Sequence, residues 1–173
     1  MTILVLCGGL GSNQLYIAPS IYDAVRAADP TVAIVRVDDP GYIIGKIPPI
    51  NDIIAKAKVA NSSADRVVLV DHSMGWITGA KASLDGLVDF LIALDAVGLA
   101  GVTSDKWPRP ARFNGERQPG ILAKAMRPTP FIAQLYINDG PEIQEFDLMH
   151  NDLPHDPKIV QAVIDACTSG AIT

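Results

Sequence analysis

Arg66-Val67-Val68-Leu69-Val70-Asp71-His72-Ser73-Met74-Gly75 opens with a continuous apolar run, mostly β-branched, and closes on small and polar residues. A run of this kind with turn residues behind it reads as a strand covered on both faces, the habit of a parallel sheet. The residues around it repeat the theme. Upstream, Thr2-Ile3-Leu4-Val5-Leu6 is a second short apolar run, stopped by Gly8, Gly9 and Gly11, and it reads as another buried, mid-sheet strand. Between the two, Ile21, Ala24, Val25 and Ala28 follow Ser20 at helical spacing until Pro30 stops the pattern. Val32 to Val37 is a further strand with Asp38, Asp39, Pro40 and Gly41 as its turn signals. Ile50, Ile53, Ile54 and Ala57 then mark a helix that frays into Asn61-Ser62-Ser63.

Downstream, Met74 to Ser83 reads as a helix and Leu87 to Leu94 as an apolar strand ending at Asp95. Alternating strands and helices predict an α/β fold, with a mostly parallel sheet flanked by helices on both faces. Gly98 to Pro130 breaks the alternation. It is bracketed by Trp107-Pro108-Arg109-Pro110 and Arg127-Pro128-Thr129-Pro130 and holds one helix-like piece, Ile121 to Met126. Long irregular segments inside compact domains are often functional loops, so residues 98–130 are expected to shape a pocket. Phe131 to Ile137 and Ile143 to Leu148 are strand-like. The turn signal Asn138-Asp139-Gly140-Pro141 between them allows an antiparallel hairpin at the sheet edge. Ile159, Val160, Val163 and Ile164 form the apolar stripe of a last helix, from about Asp156 to Cys167.

Length and composition bound the function. A chain of 173 residues makes one domain, residues 1–173, and 49% hydrophobic with 19% charged residues makes it a packed one. The 14 basic residues are scattered against 19 acidic ones, a net charge of −5, which gives no field for a polyanion and disfavours a general nucleic-acid binder. The local basic surplus of Arg109, Arg112, Arg117, Lys124 and Arg127 reads as a solvated loop face. No apolar stretch approaches the roughly 20 residues a membrane span needs. The strand-like start, without a basic leader, is expected to be cytoplasmic or leaderless. Cys7 and Cys167 stand at opposite ends of the chain and read as buried free thiols, with a single bridge as the alternative.

The chemistry gathers where strands end. Ser73 follows a buried strand and precedes Gly75 and a helix, the context in which a small-residue turn projects a hydroxyl out of a sheet. His72-Ser73-Met74-Gly75 resembles the nucleophile elbow of the α/β-hydrolase family, its esterases, lipases and thioesterases, and the resemblance runs along nearly the whole chain. At the first position of the family's G-x-S-x-G pattern this chain has Asp71. The resemblance implies a small lidless serine hydrolase that cleaves a carboxylic ester or thioester through an acyl-enzyme, with no metal or organic cofactor.

Serine needs a base to remove its proton, and the base needs an acid to orient it. By the family's chain order the base is His150, behind the last strand. His72 would pack beside the turn, and His155 would belong to the start of the last helix. The acid is Asp95, in Ala93-Leu94-Asp95-Ala96-Val97-Gly98, which resembles the L-D-P-V-G stretch of some small members; Asp139 is the competing candidate. An oxyanion hole needs preset backbone N–H donors. Met74 supplies one. The amide of Leu10, in Gly8-Gly9-Leu10-Gly11-Ser12, matches the other, with Gly8 where the family's H-G-x-G turn has histidine.

Two other chemistries compete. Gly9-Leu10-Gly11 after a first strand, with Asp38 and Asp39 after the second, suggests a dinucleotide site, although Gln14 holds the third glycine position. His150, Asp152, His155 and Asp156 could form a metal cluster, but Pro154 interrupts it and the spacing fits no helix-borne motif. Trp76 and Trp107 read as packing or pocket residues. The alternative from another class is a non-catalytic binding or structural subunit of a larger assembly that keeps the hydrolase fold.

Overall fold

The computed structural model of the chain describes residues 1–8, 18–37, 50–72, 75, 86–94, 131–137, 140–146 and 152–169, with 131–137 and 140–146 described as backbone. In chain order the elements are β1 (Thr2–Cys7), a π-helical turn (Ala18–Tyr22), α1 (Asp23–Ala28), β2 (Ala33–Val37), α2 (Ile50–Ala60), β3 (Arg66–His72), β4 (Phe90–Leu94), β5 (Phe131–Ile137), β6 (Gly140–Phe146), a 3-10 turn (Leu153–His155) and α3 (Pro157–Thr168). The strands form one sheet in the order β2-β1-β3-β4-β5-β6. β1 to β4 are mutually parallel, while β5 is antiparallel to β4, and β6 to β5. The α/β expectation therefore stands, with an antiparallel hairpin at one edge.

Period-two alternation sorts the core into two layers. Leu4 and Leu6 of β1, Val68 and Val70 of β3, and Ile92 and Leu94 of β4 face Val25 of α1 and Ile159, Val163 and Ala166 of α3. Ile3 and Val5, Val67 and Leu69, and Leu91 face Ile50, Ile54 and Ala57 of α2. Helices thus cover both faces. The connection from β1 to β2 goes one way along the sheet and that from β2 to β3 returns the other way, so the connecting helices fall on opposite sides. All six residues of β1 are buried, whereas in β2 at the edge Arg36 is exposed. There the Arg36 guanidinium stacks 4.2 Å from the centroid of the Tyr22 ring, and the edge ends in a charge rather than a bare ladder.

At the amino-terminal end of the strands, the buried Thr2 hydroxyl donates to the Cys167 carbonyl at 2.7 Å, and the Arg66 guanidinium reaches the Ala166 and Cys167 carbonyls at 3.4 Å. These donors satisfy carbonyls that the last turn of α3 leaves unpaired. The other end of α3 is capped by Asp156, whose carboxylate accepts from Lys158 N at 2.9 Å and Ile159 N at 3.4 Å. Both cysteines are free and buried. Cys7 packs in the layer under α2 and Cys167 in the layer under α3, with the sheet between them, so a bridge is sterically closed. Burial pushes the Cys167 thiol up to about 12.

Three boundaries move. β4 begins at Phe90 rather than Leu87, because Asp89 turns the chain into the ladder: its carboxylate accepts from Val67 N at 2.7 Å and its own N–H donates to the Val67 carbonyl. β6 runs over Gly140–Phe146, so it starts before the expected Ile143, because pairing of Ile137 with Gly140 already belongs to the ladder; Asp147 and Leu148 lie outside the described residues. The first helix is split into the π-helical turn and α1. The expected helices Met74 to Ser83 and Ile121 to Met126, and the loop 98–130, lie outside the described residues apart from Gly75. Among the described residues no helix is long and apolar enough to cross a membrane.

Candidate functional site

The sheet order reverses between β1 and β3, since β1 leads to β2 on one side and β3 continues the sheet on the other. In open α/β sheets ligands bind at such a switch point, in the crevice beyond the carboxyl ends of the strands. Here those ends are Cys7-Gly8 and Asp71-His72, with Cys7 and Asp71 register partners across the β1–β3 ladder. Ser73 is the next residue in the chain.

Gly75 lies against this crevice floor. A Cβ on Gly75 would stand 2.7 Å from the Cys7 carbonyl oxygen, 3.0 Å from that of Gly8 and 3.3 Å from the Asp71 Cβ. Only a residue without a side chain comes that close. Gly75, four residues after Asp71, is thus packed against the end of β1.

Alternation puts Asp71 and His72 on opposite faces. Asp71 shares the face of Val67 and Leu69 under α2, while His72 shares that of Val68 and Val70, towards α1 and α3. Both are buried, at 0% and 2% exposure. Among the described residues neither carboxyl oxygen of Asp71 has a hydrogen-bond partner, and burial pushes this carboxyl well above the usual carboxylate range. Desolvation without a compensating cation or donor favours the neutral acid.

His155 is exposed in the 3-10 turn before α3, and its Nδ1 shares a 2.7 Å hydrogen bond with the Ser20 hydroxyl of the π-helical turn. The sequence carries no signal for this pair, whose members are 135 positions apart. The burial of Asp71 was equally hidden. An acid at the end of an apolar strand reads as a solvated turn residue until the packing of Gly75 over it is known.

Ser73, Met74, Leu10, Asp95, His150 and the competing acid Asp139 lie outside the described residues, as do Gly9, Gly11, Gln14, Asp38, Asp39, Trp76 and Trp107. Among the described residues the structure brings together the end of β1, the end of β3 and Gly75. Among the described residues no three His, Cys, Asp or Glu side chains are grouped to hold a metal ion. Asp152, His155 and Asp156 of the suggested metal cluster are instead the turn and cap of α3, with His155 N donating to the Asp152 carbonyl at 2.9 Å.

No protein-family model matches the chain, and no curated protein or solved structure matches it either.

Proposed function

We propose that this chain is a serine hydrolase that cleaves a carboxylic ester or thioester through an acyl-enzyme. The observation that carries the reading is the close packing of Gly75 against the ends of β1 and β3 at the switch point of the sheet, two positions after Ser73 in the sequence. Strand, serine and close-packed glycine are the features an elbow needs to lift a hydroxyl above a sheet. In the proposed reaction His150 takes the Ser73 proton as the oxygen attacks the carbonyl carbon. The backbone amides of Leu10 and Met74 stabilise the resulting oxyanion. The alcohol or thiol departs with the proton from His150, and a water activated by His150 then releases the acid and frees Ser73. Asp95 holds the imidazole in the required tautomer.

A second reading is favoured by Asp71 itself. A buried carboxyl stands where the elbow pattern has glycine, as in a hydrolase-like fold kept for binding or assembly after catalysis is lost.

Labelling with a fluorophosphonate probe separates the two, because only an activated serine reacts quickly with it. The expected result is rapid labelling that Ser73→Ala and His150→Ala abolish and His155→Ala leaves unchanged, the last because His155 is engaged with Ser20. Asp95→Asn should lose labelling and Asp139→Asn should keep it. A folded protein that never labels overturns the catalytic reading in favour of the binding one.

A further inference from the structure

We propose that Ser20 and His155 are a second nucleophile and base, a pair that takes an acyl group from an acyl thioester onto the Ser20 hydroxyl. The pair stands apart from Ser73 and does not depend on its reading.

Ser20 Oγ lies 2.7 Å from His155 Nδ1. With the imidazole proton on Nε2, the hydroxyl donates to Nδ1, the bond through which a neutral histidine takes a serine proton. Other described hydroxyls are paired differently: Thr2, Thr168 and Ser169 donate to backbone carbonyls, Thr31 to the Asp29 carboxylate, and Ser63 to the Met1 sulfur. Both partners are anchored by their neighbours in the chain. Ile21, next to Ser20, is fully buried in the layer under α1 and α3; Pro154 is buried on one side of His155, and on the other Asp156 is held by the first amides of α3. A contact fixed in this way loses less freedom on ordering than one between two loose surface chains. The last turn of α3 meets Thr2 and Arg66 at the starts of β1 and β3. The 12 residues of α3 rise by about 18 Å from there, so His155 stands at the carboxyl ends of the strands, the end of an open α/β sheet where ligands bind. His155 is exposed and Ser20 half-buried, which leaves the pair open to a donor from solution.

In the proposed step Ser20 Oγ attacks the thioester carbonyl carbon as its proton passes to His155 Nδ1. The C–S bond then breaks and the departing thiolate takes that proton, which leaves O-acyl-Ser20, a free thiol and the neutral imidazole. Among the described residues no carboxylate is paired with His155, since Asp156 accepts from the α3 amides instead. A nucleophile and base without a third group suit a thioester, whose thiolate leaves easily, rather than an amide or an alkyl ester.

The test is incubation of the protein with phenyl thioacetate, followed by tryptic digestion and fragment mass spectrometry of the peptide that ends at Arg26. Ser63, exposed and paired only with the Met1 sulfur, gives the reactivity of an unassisted serine in the same chain. Ser20 should acetylate at least about a hundredfold faster than Ser63, the lower end of what a positioned base contributes. His155→Ala should bring it down to the Ser63 rate. His155→Asn should do the same, because the amide oxygen still accepts from the Ser20 hydroxyl but cannot take its proton; this second variant guards against a misfolded Ala variant. Ser73→Ala should leave the acetylation of Ser20 unchanged. Ser20 reacting no faster than Ser63 overturns the proposal, as does full-rate acetylation in His155→Asn. Thiophenol release that depends on His155 but persists in Ser20→Ala makes the imidazole the nucleophile and overturns it too. Acetylation of Ser20 that depends on His155, in a protein whose Ser73 never labels with fluorophosphonate, upholds this pair and sinks the reading of Ser73 instead.

Discussion

Gly75→Ala tests whether the packing at the end of β1 is as close as the structure has it. Gly75 does not occupy the left-handed backbone region, where among the described glycines only Gly86 is found, at φ 67°. An alanine at 75 is therefore free of backbone strain, and wherever space allows, such a change stabilises by about 0.4–1 kcal/mol through the unfolded chain. Space does not allow it here. The new methyl would stand 2.7 Å and 3.0 Å from two backbone oxygens, which have no rotamer to change. Relief requires the end of β1 to move, against its ladder to β3 and the bond from Gly8 N to the Val37 carbonyl. Overpacking of this kind costs about 1–3 kcal/mol, so the expected sign is the opposite of an ordinary glycine-to-alanine change. For a domain of this size each kcal/mol lowers the melting temperature by about 2–4 °C. Urea unfolding should show a lower midpoint at unchanged slope. Asp71→Gly in the same chain should not rescue it, because both carbonyl contacts remain. A midpoint equal to or above that of the unmodified protein would refute the close approach of Gly75 to the end of β1.

Two further outcomes follow from named contacts. Because the Asp71 carboxyl is raised in the folded chain, the folded state holds a proton that the unfolded state has released. Its stability is full below the ordinary aspartate pKa and declines by up to about 1.4 kcal/mol per pH unit until the folded pKa is passed. Asp71→Asn should therefore gain over the unmodified protein between pH 4 and pH 8 in urea unfolding, and a constant difference would contradict this. Asp156→Ala removes the cap on Lys158 N and Ile159 N and should cost about 1 kcal/mol, read as a lower thermal midpoint with the far-ultraviolet spectrum retained.

What the sequence made legible is what depends on local pattern. Thr2 to Leu6 and Arg66 to Val70 are unmistakable because strands buried on both faces must be apolar throughout. Ile50, Ile54 and Ala57 gave away α2 by spacing, and Asp156-Pro157 marked the start of α3 because a capping carboxylate and an N-terminal proline are both local devices. The hairpin was legible from the Asn138-Asp139-Gly140-Pro141 sequence, but the start of its second strand was set by pairing with β5, so its apolar residues from Ile143 placed that start too late. The burial of Asp71 and the contact of Ser20 with His155 were not legible, since each depends on which remote segment lies opposite.

The hydrogen bond from Thr2 to Cys167 and the seating of α3 on β1 and β3 join residues 165 positions apart. During synthesis the first strands leave the ribosome long before the helix that covers one of their faces. Until Pro157–Thr168 emerges, Leu4, Leu6, Val68, Val70 and Ile92 lack that cover, and loop closure over so long a span is slow. The cover on that face of the sheet is therefore completed only after most of the chain has been made.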